Sequence, residues 1–465
     1  MKMMRNVSCV VLAAGEGTRM KSELPKVLFD ICGKTMIEHL LGRIKEINFY
    51  KIYIVVGYKS ELVKQKILDS SIGKKLNKKI VFVNQEKQLG SGDAVKLVEK
   101  YVSKTEKCLV VLSADVPLVS KETLNELITQ HWSNSVECTV LSVVLENPYG
   151  YGRIVRDISK KFVTIVEEVD ATQQQKLIKE VNAGIYVFSL PNLWHALKQI
   201  TPDNNKGEYY LTDVVKFLSS KQTVICKNVN EVKGVNTKKD LAEVAEIVRK
   251  KILENLMLSG VTIVLPQTVY IDCNTKIEPD TKVLQGCVIT NSQIGKNCVI
   301  GPYSFISDSK VGNDTEIVYS YINFSEIGNK CSIGPFSRIR PQTKLYDEVK
   351  IGNFVEIKKS EISSGTKINH LSYIGDAVIE DNVNVGAGTI TCNYDGIKKH
   401  KTYVGKNVFI GSNVNLVAPI KIGSNVFIGA GSTVTKDVPK NTLVIARAQE
   451  VHKYNHEIIK KLFGD

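Results

Sequence analysis

Aliphatic residues recur every six positions through the second half of this 465-residue chain, and few folds accommodate such a period. Ile327, Ile333, Ile339, Leu345, Ile351 and Ile357 form one run, and Val404, Ile410, Leu416, Ile422, Ile428 and Val434 form another. An α-helix repeats every 3.6 residues and a half-buried strand every two, so neither explains the spacing. A parallel β-helix of hexapeptides does, because each aliphatic points inward and the residue after it turns the corner of a three-sided coil. Glycine directly follows many of these positions, as at Ile294, Ile300, Ile333, Ile351, Val385, Ile410, Ile422 and Ile428. Such prisms coil left-handedly, an exception to the usual crossover rule. The count breaks between Val385 and Val404, one residue more than three repeats apart. That stretch contains TCNYDGIKKHKTY, and a loop extruded from the prism is expected there.

The first half keeps a different rhythm. Short β-branched runs at 7–12, 51–56, 80–83, 108–112 and 139–144 alternate with helical patterns. This predicts βαβ units in a mostly parallel, Rossmann-like α/β sheet. Residues 237–259 read as one helix, with Leu241, Val244, Ala245, Val248, Ile252 and Leu256 on a face and Gly260 as the stop. The expected organisation is therefore a sheet domain over 1–236, a linker helix over 237–260, and a β-helix domain with a short tail over 261–465.

Composition excludes several function classes. The formal net charge of +14 is spread along the chain, which suits a basic surface or phosphorylated small molecules better than a polynucleotide-binding arm. The ten cysteines contain no CxxC and the seven histidines no HxH or HExxH, so metal fingers and dithiol motifs lack their spacing. Reduced, scattered thiols fit a cytoplasmic protein. The start MKMMRNVSCVVLAAG imitates a signal peptide, but its apolar stretch is short and a glycine-rich basic loop follows, so it reads as a first strand. No apolar run approaches the roughly 20 residues of a membrane span. Neither nucleic-acid binding nor membrane insertion is expected.

The loop after that first strand, LAAGEGTRMKSELPK, carries chemistry. Successive N–H groups at Gly15, Glu16 and Gly17 can form a concave anion site. Arg19 adds a planar fork, and Lys26 a point charge stiffened by Pro25. The spacing is neither GxGxxG nor GxxxxGK[ST], so the ordinary dinucleotide and P-loop motifs do not apply. Farther on, Asp115 closes an apolar strand, where an unpaired carboxylate would be costly.

LAAGEGTRM followed by LPK resembles the nucleotidyltransferases that join a nucleoside triphosphate to a sugar 1-phosphate. Later elements agree: Gln85, Leu89-Gly90-Ser91, Ala114-Asp115-Val116-Pro117-Leu118, Tyr151-Gly152-Arg153-Ile154, Val166-Glu167, Val181-Asn182-Ala183-Gly184 and Gly234-Val235-Asn236. With the hexapeptide half included, the likeness extends to the bacterial bifunctional N-acetylglucosamine-1-phosphate uridyltransferases and glucosamine-1-phosphate acetyltransferases. The resemblance implies that Leu12, Ala13, Ala14, Gly15, Lys26, Gln85, Gly90 and Ser91 contact UTP or the product nucleotide. It assigns the sugar to Gly152, Glu167 and Asn182, and Mg²⁺ to Asp115 and Asn236, with Asn236 also at the substrate. Arg19 and Lys26 would neutralise charge as the sugar phosphate attacks the α-phosphorus.

In the prism, NHLSYIG places His370 and Tyr373 off the inward positions set by Ile368 and Ile374. In the same family, H-L-x-Y followed by NVGAGTITCNYDG marks the acetyltransferase site. The resemblance makes His370 the general base on the amine of glucosamine 1-phosphate, with Arg340 and Lys358 on the sugar phosphate and Tyr373 and Asn384 completing that pocket. Ala387, Asn393, Tyr394, Ser412, Ala430 and Arg447 would line acetyl-CoA. Backbone N–H groups of Gly386-Ala387-Gly388 are a candidate for the developing oxyanion. The run Lys398-Lys399-His400-Lys401 reads as a solvated loop face. A homotrimer acting on glucosamine 1-phosphate, N-acetylglucosamine 1-phosphate, UTP and acetyl-CoA is implied.

The sequence departs from the family pattern at Ser91, usually threonine, and at Asp93, commonly histidine. The alternatives are a monofunctional sugar-nucleotide pyrophosphorylase with a structural prism, and a non-catalytic scaffold. His370 with its NYDG loop argues against the first, and Asp115 with Asn236 against the second.

Overall fold

The computed structural model describes residues 6–454 and 456–464. The basic start of the signal-like segment, residues 1–5, lies outside them. Two compact units divide the chain, one reaching Val248 and the other beginning at Arg249. None of the ten cysteines is joined in a disulfide. Among the described residues no helix is long and apolar enough to cross a membrane.

The first unit is built on a nine-stranded sheet. Its order is Lys221–Ile225, Cys138–Val144, Glu180–Ser189, Cys108–Ser113, Val7–Ala13, Ile52–Val56 and Ile80–Asn84, with Arg153–Arg156 and Phe162–Val166 attached beside Glu180–Ser189. Glu180–Ser189 runs antiparallel to both neighbours, while the other pairings along the main path are parallel. The β-branched runs give strands because alternate side chains find apolar partners on both faces. Cys9, Val11, Ile54 and Val110 face one core, which includes Ile37, Leu40, Leu41 and Ile44 of the helix Met36–Ile47. Val10, Tyr53, Val55 and Val111 face the other. A capping box of Thr35 and Glu38 starts that helix by satisfying its free N–H groups.

The six-residue aliphatics build the second unit. Its strands stack in parallel as three sheets of 11, 10 and 9 strands, the left-handed parallel β-helix expected from the period. Ile333 lies over Ile351, Ile351 over Ile368, and Ile368 over Val385, all essentially inaccessible. Burying each such side chain contributes about 1.5–3 kcal/mol, so the column is the main source of the unit's stability. The partner of Val385 is Ile410, because residues between Cys392 and Thr402 leave the coil as a loop. The helix Lys238–Leu258 contributes to both units: Ala245 accepts a bond from the Cys32 thiol in the first, and Leu253 joins the prism core in the second. Gly260, at φ +98°, ends it.

Candidate active sites

Three parallel strands deliver the first site. Gly15, Gln85 and Asp115 lie just beyond the carboxyl ends of Val7–Ala13, Ile80–Asn84 and Cys108–Ser113, where open α/β sheets collect ligands. They line a cavity of about 290 Å³ together with Leu12, Ala13, Ala14, Lys26, Gly90 and Ser91. Val27, Gln88, Ala94, Ser113 and Glu208 also line it and carried no motif signal. No acceptor among the described residues takes the N–H groups of Gly15, Glu16 or Gly17. This row of donors is therefore available to an anion. Gly17, at φ +71°, has a second role, since a Cβ there would sit 2.7 Å from that of Lys26. Gly90 is likewise fixed by its approach to Tyr209, whose carbonyl would lie 2.5 Å from an added Cβ.

Charge is concentrated at one point of this cavity. The Lys26 ammonium donates to Asp115 Oδ2 at 2.5 Å and to Asn236 Oδ1 at 3.2 Å, and Arg19 donates to the same Asn236 oxygen at 2.8 Å. Ser113 donates to the other Asp115 oxygen at 2.6 Å. Burial opposes ionisation of Asp115, yet Lys26 and the Ser113 hydroxyl outweigh it and hold the carboxyl below its usual range. Residues distant in sequence meet here because the Val235 N–H donates to the Asp115 carbonyl. Asp240 accepts from the Asn236 and Thr237 N–H groups and so anchors the start of the following helix.

Gly152, Glu167 and Asn182 also come together, outside the set of residues lining the first cavity. The Gly152 carbonyl accepts from Asn182 N–H, and an added Cβ on Gly152 would lie 3.4 Å from the Glu167 carboxylate. Burial pushes Glu167 up, partly offset by the Thr212 hydroxyl bonded to it at 3.0 Å. The Asn182 amide is engaged internally, donating to the Tyr186 hydroxyl and accepting from Gly184 N–H. Glu167 lines a separate cavity of about 250 Å³ with Asp170, Asp203 and Asp213.

In the prism the second group of residues is assembled by stacking. His370 ends the strand Lys367–His370 and pairs in register with Asn353 one coil earlier. Its Nδ1 lies 2.9 Å from Asn353 Oδ1. An amide oxygen only accepts, so Nδ1 carries the hydrogen and Nε2 keeps its lone pair. Neighbouring strands of the next sheet bring Arg340, Glu356, Lys358 and Tyr373 onto one face, with Arg340 bonded to Glu356 at 2.6 Å. Lys399, from the extruded loop, stands beside Lys358 and, with Arg340 and Lys359 farther off, holds its ammonium below the ordinary value. Arg340 is paired with Glu356, whereas Lys358 and Lys399 meet without an ion pair of their own among the described residues, which makes a place for an anion. Lys399 is itself exposed, in keeping with the solvated loop face read from the sequence.

The Tyr373 hydroxyl and Asn393 amide converge where a Cβ on Gly375 would stand, and Asn393 donates to Asp376 at 2.6 Å. Asn384 sits in register with Lys367, three residues before the His370 level. Ala387, Ser412, Ala430 and Arg447 form one column up a corner: Asn413 N–H donates to Ala387, Gly431 N–H to Ser412, and Arg447 to the Ala430 carbonyl. Tyr394 is exposed on the loop, which His400 closes by bonding to Asp395 at 2.6 Å. Of the proposed oxyanion donors, Gly386 and Gly388 are bonded to the carbonyls of Ile410 and His370, leaving Ala387.

Fold and sites together define a class, a nucleotidyl transferase joined to a hexapeptide-repeat transferase. Residues 8–250 match the nucleotidyl transferase family, and residues 401–436 match the bacterial transferase hexapeptide (six repeats). The chain belongs to the bifunctional GlmU family. A relative from Thermoanaerobacter pseudethanolicus, named Bifunctional protein GlmU, is 46% identical over 464 residues, covering 98% of this chain and 99% of its own. Those of the same name from Geobacillus sp. (strain WCH70) and Staphylococcus haemolyticus are 44% and 42% identical, covering 96% and 97% of this chain and 96% and 99% of theirs.

Proposed function

We propose that the two sites carry out successive steps of UDP-N-acetylglucosamine synthesis, with the residues described above in specific roles. As a GlmU family member the chain is a bifunctional transferase. It acetylates the amine of glucosamine 1-phosphate from acetyl-CoA, then transfers uridylyl from UTP to N-acetylglucosamine 1-phosphate with release of pyrophosphate. The observation that carries the reading is that each unit holds its own reactive set: Lys26 shared by Asp115 and Asn236 in one, and His370 with a free Nε2 in the other.

For acetyl transfer, Arg340, Lys358 and Lys399 bind the phosphate of glucosamine 1-phosphate, and Tyr373 and Asn384 orient its ring. The sugar reacts as the free amine, its ammonium proton already lost to solvent. The neutral imidazole takes an N–H proton at Nε2 as nitrogen attacks the thioester carbonyl, and coenzyme A leaves as the thiolate. Asn353 holds the ring in the required tautomer. Ala387 N–H faces the developing oxyanion, and the corner column running to Arg447 bears the coenzyme, with Asn393 and Tyr394 at the loop.

For uridylyl transfer, the N–H row at Gly15 to Gly17 and the cations Arg19 and Lys26 hold the triphosphate, while Leu12, Ala13, Ala14, Gln85, Gly90 and Ser91 surround the nucleoside. Gly152, Glu167 and Asn182 take the sugar. A sugar phosphate oxygen then attacks the α-phosphorus, and no protein nucleophile is required. Asp115 and Asn236 suit Mg²⁺, because one ammonium already lies within bonding distance of an oxygen from each, and Mg²⁺ prefers few protein oxygens. Bound there, it would supply charge neutralisation for the phosphates.

A homotrimer fits the hexapeptide repeats and the open face on which His370 lies, and UTP and acetyl-CoA as substrates fit a cytosolic location. The test is separable loss: Asp115→Ala should remove pyrophosphate release and keep acetyl transfer, and His370→Ala the reverse. Loss of both by either variant would contradict the assignment.

A further inference from the structure

Asp93, in the first turn of the helix Ser91–Lys96, stands behind the nucleotide cavity rather than in its wall. Its carboxylate accepts from Gln85 Nε2 at 2.9 Å. The other hydrogen of that nitrogen goes to the Gly90 carbonyl at 3.1 Å. Both neighbours of the nitrogen are acceptors, and neither can donate. Turning the amide over would set Oε1 against a carboxylate and a carbonyl, so only one orientation is compatible with the surroundings.

Gln85 itself is buried yet lines the cavity. No donor among the described residues reaches its Oε1, and that oxygen is not sealed from solvent. The cavity therefore meets Gln85 as an acceptor only. Uracil offers an N–H at N3 on its pairing edge, whereas cytosine offers a lone pair at the same atom. A fixed acceptor bonds to the first and repels the second.

We propose that Asp93 is a positioning residue for base selection, locking Gln85 with Oε1 toward the cavity so that the site accepts uracil and rejects cytosine. The proposal rests on the reading of this cavity as the UTP site. A histidine at position 93, which can donate or accept, would leave only the Gly90 carbonyl to orient the amide, so the second half of the lock belongs to this chain's own carboxylate.

The test compares kcat/KM for UTP and CTP in pyrophosphate release by the full-length enzyme, with acetyl transfer as a check that each variant is intact. Asp93→Asn and Asp93→Ala should narrow the UTP-to-CTP ratio roughly tenfold, with the change in KM and with kcat for UTP within about twofold. Asp93→Glu, which keeps an acceptor, should hold the ratio near that of the parent. An unchanged ratio in Asp93→Asn and Asp93→Ala, with UTP use still impaired by Gln85→Ala, would overturn the lock while leaving the UTP site in place. If Gln85→Ala leaves KM for UTP unaltered, the base is not read in this cavity, and the underlying site assignment fails first.

Discussion

The two units gather functional residues by different geometry. In the sheet unit, side chains from distant segments meet because parallel strands end together, and nothing in their spacing announces the meeting: Lys26, Asp115 and Asn236 share no period. In the prism, translation does the work. Asn353 and His370 face one another because they occupy the same place in successive coils, as do Ile410 and Ile428. A site at strand ends depends on tertiary folding for each residue, whereas a site on a solenoid inherits its geometry from the repeat.

That contrast can be broken at either end. The largest effect is expected for Asp115→Ala, which leaves Lys26 without its carboxylate: pyrophosphate release should fall on the order of 10³-fold or more, with thiol release from acetyl-CoA unchanged. His370→Ala should reduce acetyl transfer by about 10² to 10⁴-fold, the range of general-base catalysis, and spare uridylyl transfer. Coincident loss of both activities in the His370 variant would show that the histidine supports folding instead.

Stability should also separate the units by pH. His131 is buried between Thr139 and Ser189, and burial lowers its pKa from 6.5 to about 4. Burial lowers His39 as well. Between pH 6.5 and about 4 the unfolded chain binds a proton that the folded His131 ring refuses, so its contribution is complete above pH 6.5 and is lost as pH falls toward 4, and His39 acts in the same direction. For His131 alone this amounts to about 3 kcal/mol. No histidine after Val248 is buried among the described residues. Urea unfolding followed separately in the two units should show a steeper loss over this window in the first, and His131→Gln should flatten it. A common slope would contradict the difference.

A smaller effect sharpens the role of stacking. Asn353→Ala removes the acceptor that fixes the His370 tautomer, and acetyl transfer should drop about tenfold without loss of coil stability. An unchanged rate would mean that the ring is oriented by something other than its partner one coil away.

How much was legible beforehand follows the same division. The six-residue aliphatics named the prism, its inward column and the point of loop extrusion, because burial in a solenoid is periodic. The resemblance named His370, Tyr373 and Lys358. Asn353 went unassigned although coil arithmetic from His370 points to it, and the approach of the exposed Lys399 to Lys358 could not be read from a charge run on a loop. In the first unit the strands were readable from their β-branched runs. Gln88, Ser113 and Glu208 were not readable as cavity residues, because only the strand order brings them to one place. Asp93 was visible as a departure, but its direction toward Gln85 required coordinates.

The most direct test supplies the purified chain with glucosamine 1-phosphate, acetyl-CoA, UTP and magnesium, and follows free thiol and pyrophosphate separately. The account predicts both products, with thiol appearing first and pyrophosphate lagging behind it. Pyrophosphate without any thiol, or with no dependence on acetyl-CoA, would contradict the claim that the two units act in sequence on one amino sugar.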